Sequence, residues 1–324
     1  MDITTLGKTG LKVSRIAFGT WQLGGDWGTF DTEPAAAAIR RARDLGVTLF
    51  DTAQAYGFGA SERLLGQALR HDLDHQRGEI VLATKGGLRI TDSGVVRDAS
   101  PDWLRQGVDD SLRALGVDYI DLYQVHWPDP AVPLADSAGA LQELVDAGKI
   151  RHVGVSNFDV GQMEEFSRRR PVETVQPPYH LFHRDIEADI LPYAQSHDIG
   201  VLVYGPLAHG VLSGALTPST TFPADDWRSK SREFQGAVFR RNLAVVDELA
   251  RFARERGMTV SQLAIAWTLA HPAVQVSIVG TRNADHVAES LAAADLVLTA
   301  EDLATIDTIM APAVRVSGPT PEGV

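Results

Sequence analysis

Along the chain, short runs rich in Val, Ile and Leu alternate with stretches whose apolar residues recur every three or four positions. The runs are SRIAFGTW, VTLFDTA, EIVLATKGG, DYIDLYQVHW, RHVGVSNF, ETVQPPYH, GVLVYGPLA and VSIVGTR, eight in all. Each is a nearly continuous apolar run rather than a strict alternation, which suits parallel strands buried on both faces. Between them, EPAAAAIRRARDLG ends on Gly46 as a helix stop. SPDWLRQGVDDSLRALG offers Ser100 as N-cap, Pro101 in the first turn and Gly116 after the last. PLADSAGALQELVDAGK and TVSQLAIAWTLAHP repeat the helical pattern, the second closed by Pro272. Strand and helix alternating eight times predict an α/β fold, a (β/α)8 or TIM barrel.

Three segments fall outside that count. Residues 1–13, MDITTLGKTGLKV, predict a β-hairpin about a Lys-Thr-Gly turn. The seventh strand is followed by a long polar connection, TPSTTFPADDWRSKSREFQG, and then by an extra helix at residues 237–256. Another extra helix is expected near the C-terminus. Connections this long often cover a functional site. Residues 311–324 read as a loose tail. No linker or composition break interrupts the chain, so residues 1–324 are expected to form one domain.

Bulk composition narrows the function classes. No apolar run reaches membrane-spanning length and no charged-then-apolar leader opens the chain, so a soluble, cytoplasmic protein is expected. Cysteine is absent, which removes disulfides, thiolate nucleophiles and Cys-ligated metals together. A formal net charge of −12 disfavours a nucleic-acid binder.

In such a barrel, function concentrates where strands end and βα loops begin. Asp51 ends the second strand and Tyr56 lies in its loop; Lys85 ends the third strand and His126 the fourth. Taken singly, Asp51 reads as a turn cap, Tyr56 as a packing residue with a wet hydroxyl, and His126 as a core histidine. Lys85 interrupts a buried strand and needs a partner. Together they describe a proton donor aimed at an oxygen gaining negative charge. A phenol is a weak acid, titrating near ~10 when unperturbed, and an adjacent ammonium stabilises its anion. A carboxylate compensates the buried ammonium, and an imidazole orients a carbonyl oxygen. Carbonyl reduction by hydride needs such a set.

With these residues in place, the sequence resembles an aldo-keto reductase. The resemblance runs from TLGKTGLKVSRIAFGTW to the helix after Arg282, through FDTAQAYGFGASERLLG, LATKGG, DYIDLYQVHWPDP, GKIRHVGVSNF, VQPPYHLFHR, YGPLAHGVLSG and SIVGTRNADHVAESL. It implies the catalytic tetrad Asp51, Tyr56, Lys85 and His126, with Tyr56 as acid for reduction and base for the reverse. It implies NADP(H) as cofactor. Gly19, Thr20, Trp21 and Asp51 would border it. Ser156, Asn157 and Gln176 would hold the carboxamide and Tyr204 would stack on the nicotinamide. Gly205, Pro206, Leu207, Ala208 and Gly210 would follow the pyrophosphate, with Arg228 folded over it. Gly280, Thr281 and Arg282 would meet the ribose 2′-phosphate, with His286, Glu289 and Ser290 near the adenine. Arg282's forked donors suit a phosphate.

The substrate, a small carbonyl or alcohol, would meet Trp21, Trp27, Tyr56, His126 and Trp127, with Phe30 and Phe58 also on loops at that end. His180 and His286 depart from the family's usual residues, and His180 receives no role. GFGASE lacks the third glycine of a Rossmann fingerprint. The competing reading is a nicotinamide-binding regulatory subunit of the same fold, resembling potassium-channel β subunits. A barrel glycosidase would need a second strand-end acid beside Asp51, and a metal hydrolase would need companions for His126. Metal is not expected, and the sequence leaves monomer or homo-oligomer open.

Overall fold

The computed structural model describes residues 2–321 apart from residues 26, 29 and 93. Met1 of the expected hairpin and residues 322–324 of the expected tail therefore lie outside the described residues. Strands β1 (Ile3–Thr5) and β2 (Lys12–Ser14) form the N-terminal hairpin. Next come β3 (Ile16–Gly19), β4 (Leu49–Asp51) and β5 (Val81–Gly86). A second hairpin, β6 (Leu88–Thr91) with β7 (Gly94–Arg97), follows. The remaining strands are β8 (Ile120–Val125), β9 (Ile150–Ser156), β10 (Thr174–Gln176), β11 (Gly200–Tyr204) and β12 (Val276–Val279). Strands β3, β4, β5, β8, β9, β10, β11 and β12 close into a parallel barrel in chain order, β12 pairing with β3. This is the expected (β/α)8 barrel.

Helices fill the crossovers and pack against the barrel. The first is α1 (Thr32–Asp44), followed by α2 (Ala60–Ala68), α3 (Arg70–His75) and α4 (Pro101–Leu115). Then come α5 (Leu134–Asp146), α6 (Val160–Ser167) and α7 (Ile190–Ser196). The extra helix is α8 (Gly236–Glu255), and α9 (Val260–Ala270), α10 (Ala284–Ala292) and α11 (Ala300–Met310) complete the chain. Ser100 is the N-cap residue of α4, but its hydroxyl donates to Asp98 Oδ1 at 2.6 Å rather than capping the helix. Gly116 closes the same helix in the left-handed conformation, φ 68°.

Two apolar cores hold this together. One lies between barrel and helices; the other fills the barrel interior with Ala17, Leu49, Val81, Leu122, Leu202 and Val276. The N-terminal hairpin adds Leu6 from its turn and Val13 from β2 to the interior core. Lys8 N–H donates to Asp198 O at 2.8 Å, tying the hairpin to the segment that enters β11, so the hairpin plugs the end of the barrel where strands begin. The opposite end stays open for chemistry. Packing between α2 and α4 is close enough to require glycine: a Cβ on Gly66 would lie 2.3 Å from Leu115 O. Gly66→Ala is expected to lower the unfolding free energy by about 1–3 kcal/mol. Urea unfolding checks this, and an unchanged midpoint contradicts it.

Two regions differ from the sequence reading. The β6–β7 hairpin was not expected; its LRITDSGVVR sequence holds a turn between apolar-polar alternations. The tail is not loose over its described residues. Asn242 Nδ2 donates to Val314 O (2.9 Å), and Val314 N–H donates back to Asn242 Oδ1 (2.8 Å). Val316 is fully buried and donates to Phe182 O, while Glu233 Oε1 accepts from Ser317 N–H at 2.8 Å. A terminus rich in Pro, Ser and Gly shows no periodicity, so its side-chain tethers are invisible in sequence.

Candidate active site

Six of the eight barrel strands deliver a polar residue at the same end of the barrel. Asp51 closes β4, Lys85 is penultimate in β5, and His126 follows β8. Ser156, Gln176 and Tyr204 close β9, β10 and β11. Lys85 is 1% exposed, and its ammonium donates to Asp51 Oδ1 (2.6 Å), Thr52 O (2.9 Å) and Tyr56 Oη (3.3 Å). All three protons of the ammonium thus have acceptors. Burial pushes Lys85 below the ordinary lysine value, and the Asp51 carboxylate opposes it. Tyr56 reaches the lysine because its loop turns sharply: Gly57, Phe58 and Gly59 all have positive φ, at 63°, 45° and 90°.

Helix α2 rivets that loop in place. Ser61 Oγ donates to Thr20 Oγ1 at 2.7 Å, and Thr20 N–H donates to Asp51 O at 3.0 Å. Thr84, beside Lys85, donates to Glu62 Oε1 at 2.7 Å. Both helix residues are fully buried, and burial raises the Glu62 carboxyl above its ordinary value.

His126 stands edge-on to Tyr56, ring centroids 5.7 Å apart. Burial, with the Lys85 charge added, holds its imidazole well below the usual histidine range. The ring is therefore neutral at physiological pH and offers one N–H donor and one acceptor. Its Nδ1 has no hydrogen-bond partner among the described residues. A reacting oxygen placed between Tyr56 and His126 would meet both.

Amide and hydroxyl groups surround this centre. Gln176 Nε2 donates to Asp51 Oδ2 (2.8 Å), and Ser156 Oγ donates to Gln176 O (2.8 Å). Asn157, at φ 61°, donates from Nδ2 to His126 O (3.0 Å) and accepts from Tyr204 Oη (2.9 Å). Asparagine tolerates that left-handed backbone better than most residues. Desolvation raises the Tyr204 phenol, so it stays protonated and donates.

These groups border one cavity of about 890 Å³, which also takes in Gly19, Thr20, Trp21 and Trp27. Its length runs past Gly205, Pro206, Leu207 and Gly210 to Gly280, Thr281, Arg282 and His286. Phe58 and Trp127 line its mouth; Phe30 instead lies under the Arg282 guanidinium, 4.6 Å away. Three expected cofactor residues do not border this cavity. Ala208 is wholly buried beneath the loop. Glu289 turns to α9, accepting from Thr259 Oγ1 at 2.9 Å, and Ser290 lines a separate small crevice behind β3.

Both expected phosphate arginines are engaged by the protein. Arg228 pairs with Asp226 (Nη2–Oδ2 2.6 Å) and donates to His209 O at 3.1 Å. Arg282 donates to Gln22 O from Nη2 (2.6 Å) and Nε (2.9 Å), and to Trp27 O at 3.2 Å. Sequence reasoning missed Trp227, which stacks on Trp21 at 6.4 Å, and His209, which lines the cavity. It also missed Leu88 and Val95 of the unexpected hairpin, and Ser317 to Pro321 of the tail. The only hint in sequence was the aromatic DDWRSK within the long connection.

A cavity this long, amide-lined at one end and glycine-lined along its length, suits a carboxamide-bearing dinucleotide. A closed parallel barrel with ionisable groups converging at its strand ends is the architecture of a barrel enzyme.

A sequence profile of the Aldo/keto reductase family matches residues 15–311. The chain is 41% identical to Aldo-keto reductase YhdN of Bacillus subtilis over 312 residues, covering 96% of this chain and 94% of that one. It is 32% identical to a putative voltage-gated potassium channel subunit beta of Schizosaccharomyces pombe, covering 94% of this chain and 92% of that one. It is 31% identical to an NADH-specific methylglyoxal reductase of Escherichia coli, covering 96% and 98%. The structure of glycerol dehydrogenase AKR11B4 from Gluconobacter oxydans superimposes with a TM-score of 0.87 at 40% identity, covering 99% of this chain and 98% of that one. The chain belongs to the aldo/keto reductase family. It is an oxidoreductase of the class that reduces carbonyls with a nicotinamide cofactor.

Proposed function

We propose that the protein reduces an aldehyde or ketone to an alcohol, reversibly, using NADP(H), with Tyr56 as the proton donor. The observation that carries this reading is the Lys85 ammonium in contact with both Asp51 and Tyr56. A nicotinamide cofactor bound in the cavity supplies the hydride. Tyr56 gives its proton to the carbonyl oxygen as negative charge grows there, and Lys85 stabilises the phenolate left behind. Asp51 keeps Lys85 charged and in place. His126, neutral, donates an N–H to the same oxygen and orients it. Ser156, Asn157 and Gln176 hold the carboxamide, and Tyr204 backs the ring. Trp21, Trp27 and Trp127 form the substrate's apolar wall, which favours small carbonyls with an apolar or sugar-like face. A cytoplasmic location goes with this reading as a proposal; no helix among the described residues is long and apolar enough to cross a membrane.

The preference for NADP(H) rests on Arg282 and His286 at the far end of the cavity. It requires a 2′-phosphate to displace the loop carbonyls that Arg282 now holds. Arg282→Ala is then expected to weaken NADPH about 10- to 100-fold more than NADH. Cofactor titration of both forms checks this. Equal weakening would mean that Arg282 is a strap for the 22–28 loop and not a phosphate contact.

The channel-subunit relative keeps a second reading in view, in which cofactor binding serves a partner interaction. Turnover of NADPH against a panel of aldehydes, ketones and sugar carbonyls separates the two. Tight NADPH binding with no turnover on any of them would favour the subunit.

A further inference from the structure

The β6–β7 hairpin stands beside the proposed tetrad and takes no part in the chemistry derived above. It springs directly from β5: Lys85 and Gly86 end that strand, Gly87 turns with φ 96°, and Leu88 begins β6. His126 N–H donates to Gly86 O at 2.9 Å, which ties the base of the hairpin to the backbone of the site. Leu88 and Val95 line the cavity with Tyr56, Phe58, His126 and Trp127.

Register decides what each face of the hairpin carries. Leu88 pairs with Arg97, and Ile90 with Val95. Directly opposed residues, and residues two apart, share a face of an antiparallel ladder. Leu88, Ile90, Val95 and Arg97 therefore stand on the face turned to the cavity. Arg97 agrees with this: its guanidinium lies 5.1 Å from the centre of the Trp127 ring and donates to Pro128 O at 3.1 Å. Arg89 is on the opposite face, pairing with Asp98 (Nε–Oδ2 3.2 Å) and lying 5.7 Å from the ring of Trp103 on α4.

A two-stranded hairpin is marginal by itself, and this one is held from behind and below. Trp103 Nε1 donates to Leu88 O at 3.0 Å, Asp98 N–H donates to Gly87 O at 2.9 Å, and Asp129 Oδ2 accepts from Ala99 N–H at 3.0 Å. On this fixed wall Ile90 is 62% exposed, whereas Leu88, two residues earlier, is 5% exposed. Apolar surface thus continues from the lip of the cavity out to solvent over two residues of strand, about 7 Å. Leu88, Ile90 and Val95 carry no side-chain donor or acceptor. A hydroxylated or phosphorylated tail gains nothing by lying there, while an alkyl tail leaves water.

We propose that Leu88, Val95 and Ile90 form an apolar subsite for the tail of the substrate. The preferred substrates are then straight-chain aldehydes long enough to cover the ridge, about five or six methylene groups, rather than short or polyhydroxylated ones. This deepens the carbonyl-reduction reading above and rests on it. With the carbonyl oxygen between Tyr56 and His126, the chain runs outward past Trp127 along the hairpin. Each methylene meets the ridge on one side only, so it should add about twofold to kcat/KM, against about fourfold for full burial.

NADPH-dependent turnover of straight-chain aldehydes from propanal to decanal, by the full chain, tests this. kcat/KM should climb about 30-fold from propanal to octanal and level off by decanal. Replacing the terminal methyl of hexanal by a carboxylate should remove the gain, because the charge would fall against the ridge. Ile90→Ser and Val95→Ser should each lower the octanal-to-propanal ratio about three- to tenfold; the ratio cancels any loss common to all aldehydes. Titration of tryptophan fluorescence with primary alcohols of the same lengths reads the subsite without turnover. Their dissociation constants should fall with chain length in the wild type and less steeply in Ile90→Ser. A flat length profile, a ratio that ignores both substitutions, or a preference for the carboxylate, which would make Arg97 an anion partner, would each overturn the subsite. If no aldehyde is reduced while alcohol affinity still rises with length, the reduction reading fails and the subsite stands. Reduction at rates independent of length sinks the subsite alone.

Discussion

Tyr56→Phe is expected to lower carbonyl reduction by about 10²- to 10⁴-fold, the usual contribution of a positioned general acid. The substitution removes one oxygen atom and keeps the ring that lies beside Trp21 and His126. Cofactor affinity should stay within about threefold, because the phenol oxygen's contact with Lys85 is replaced by apolar surface and the side chains of Ser156, Asn157 and Gln176 are left in place. Steady-state kinetics together with cofactor titration check both halves. Near-normal turnover would remove Tyr56 from the chemistry and leave His126 as the remaining donor in reach.

Lys85→Met should lower turnover by a comparable factor, and it has a second signature. On the proposed mechanism the wild-type ammonium stabilises the phenolate, so reduction should be lost as pH rises and either group gives up its proton. Burial lowers the lysine value, which brings that loss closer to neutrality than an ordinary lysine would. Without the ammonium, the phenol is expected to hold its proton as a free phenol does, to about 10. The alkaline limb for reduction should therefore move to higher pH while the plateau falls. The oxidation limb, which needs the phenolate, should rise only at higher pH than in the wild type. An unchanged profile with reduced stability would make Lys85 a structural partner of Asp51 only. Stability will also drop, since the change leaves a buried carboxylate without its cation; removing one member of such a pair costs about 3–5 kcal/mol. The pH profile, not the loss of activity, is the decisive readout.

Some of the site was legible because single residues broke a strong local pattern. A lysine in VLATKGG and an aspartate ending VTLFDTA contradict buried strands unless they pair. The structure pairs them at 2.6 Å. The amide and hydroxyl set was legible by family motif and by strand-end position. The arginines were legible as residues but not as partners: Asp226 and the carbonyls of the 22–28 loop are distant in sequence and have no periodic signature. Glu289 and Ser290 sat in the right motif, yet the helical turn carries them away from the cavity.

The sequence by itself determined the eight-strand parallel barrel and the end of it that would carry chemistry, because both follow from periodicity and from where apolar runs stop. Only the tertiary structure decided what covers that end. Trp227 from the long connection, Leu88 and Val95 from an extra hairpin, and a tail held by Asn242 and Glu233 arrive there through contacts between segments far apart in the chain. Such contacts depend on three-dimensional closure, and no local pattern of hydrophobic and polar residues encodes them. The same closure brought His180, His183 and His209 together.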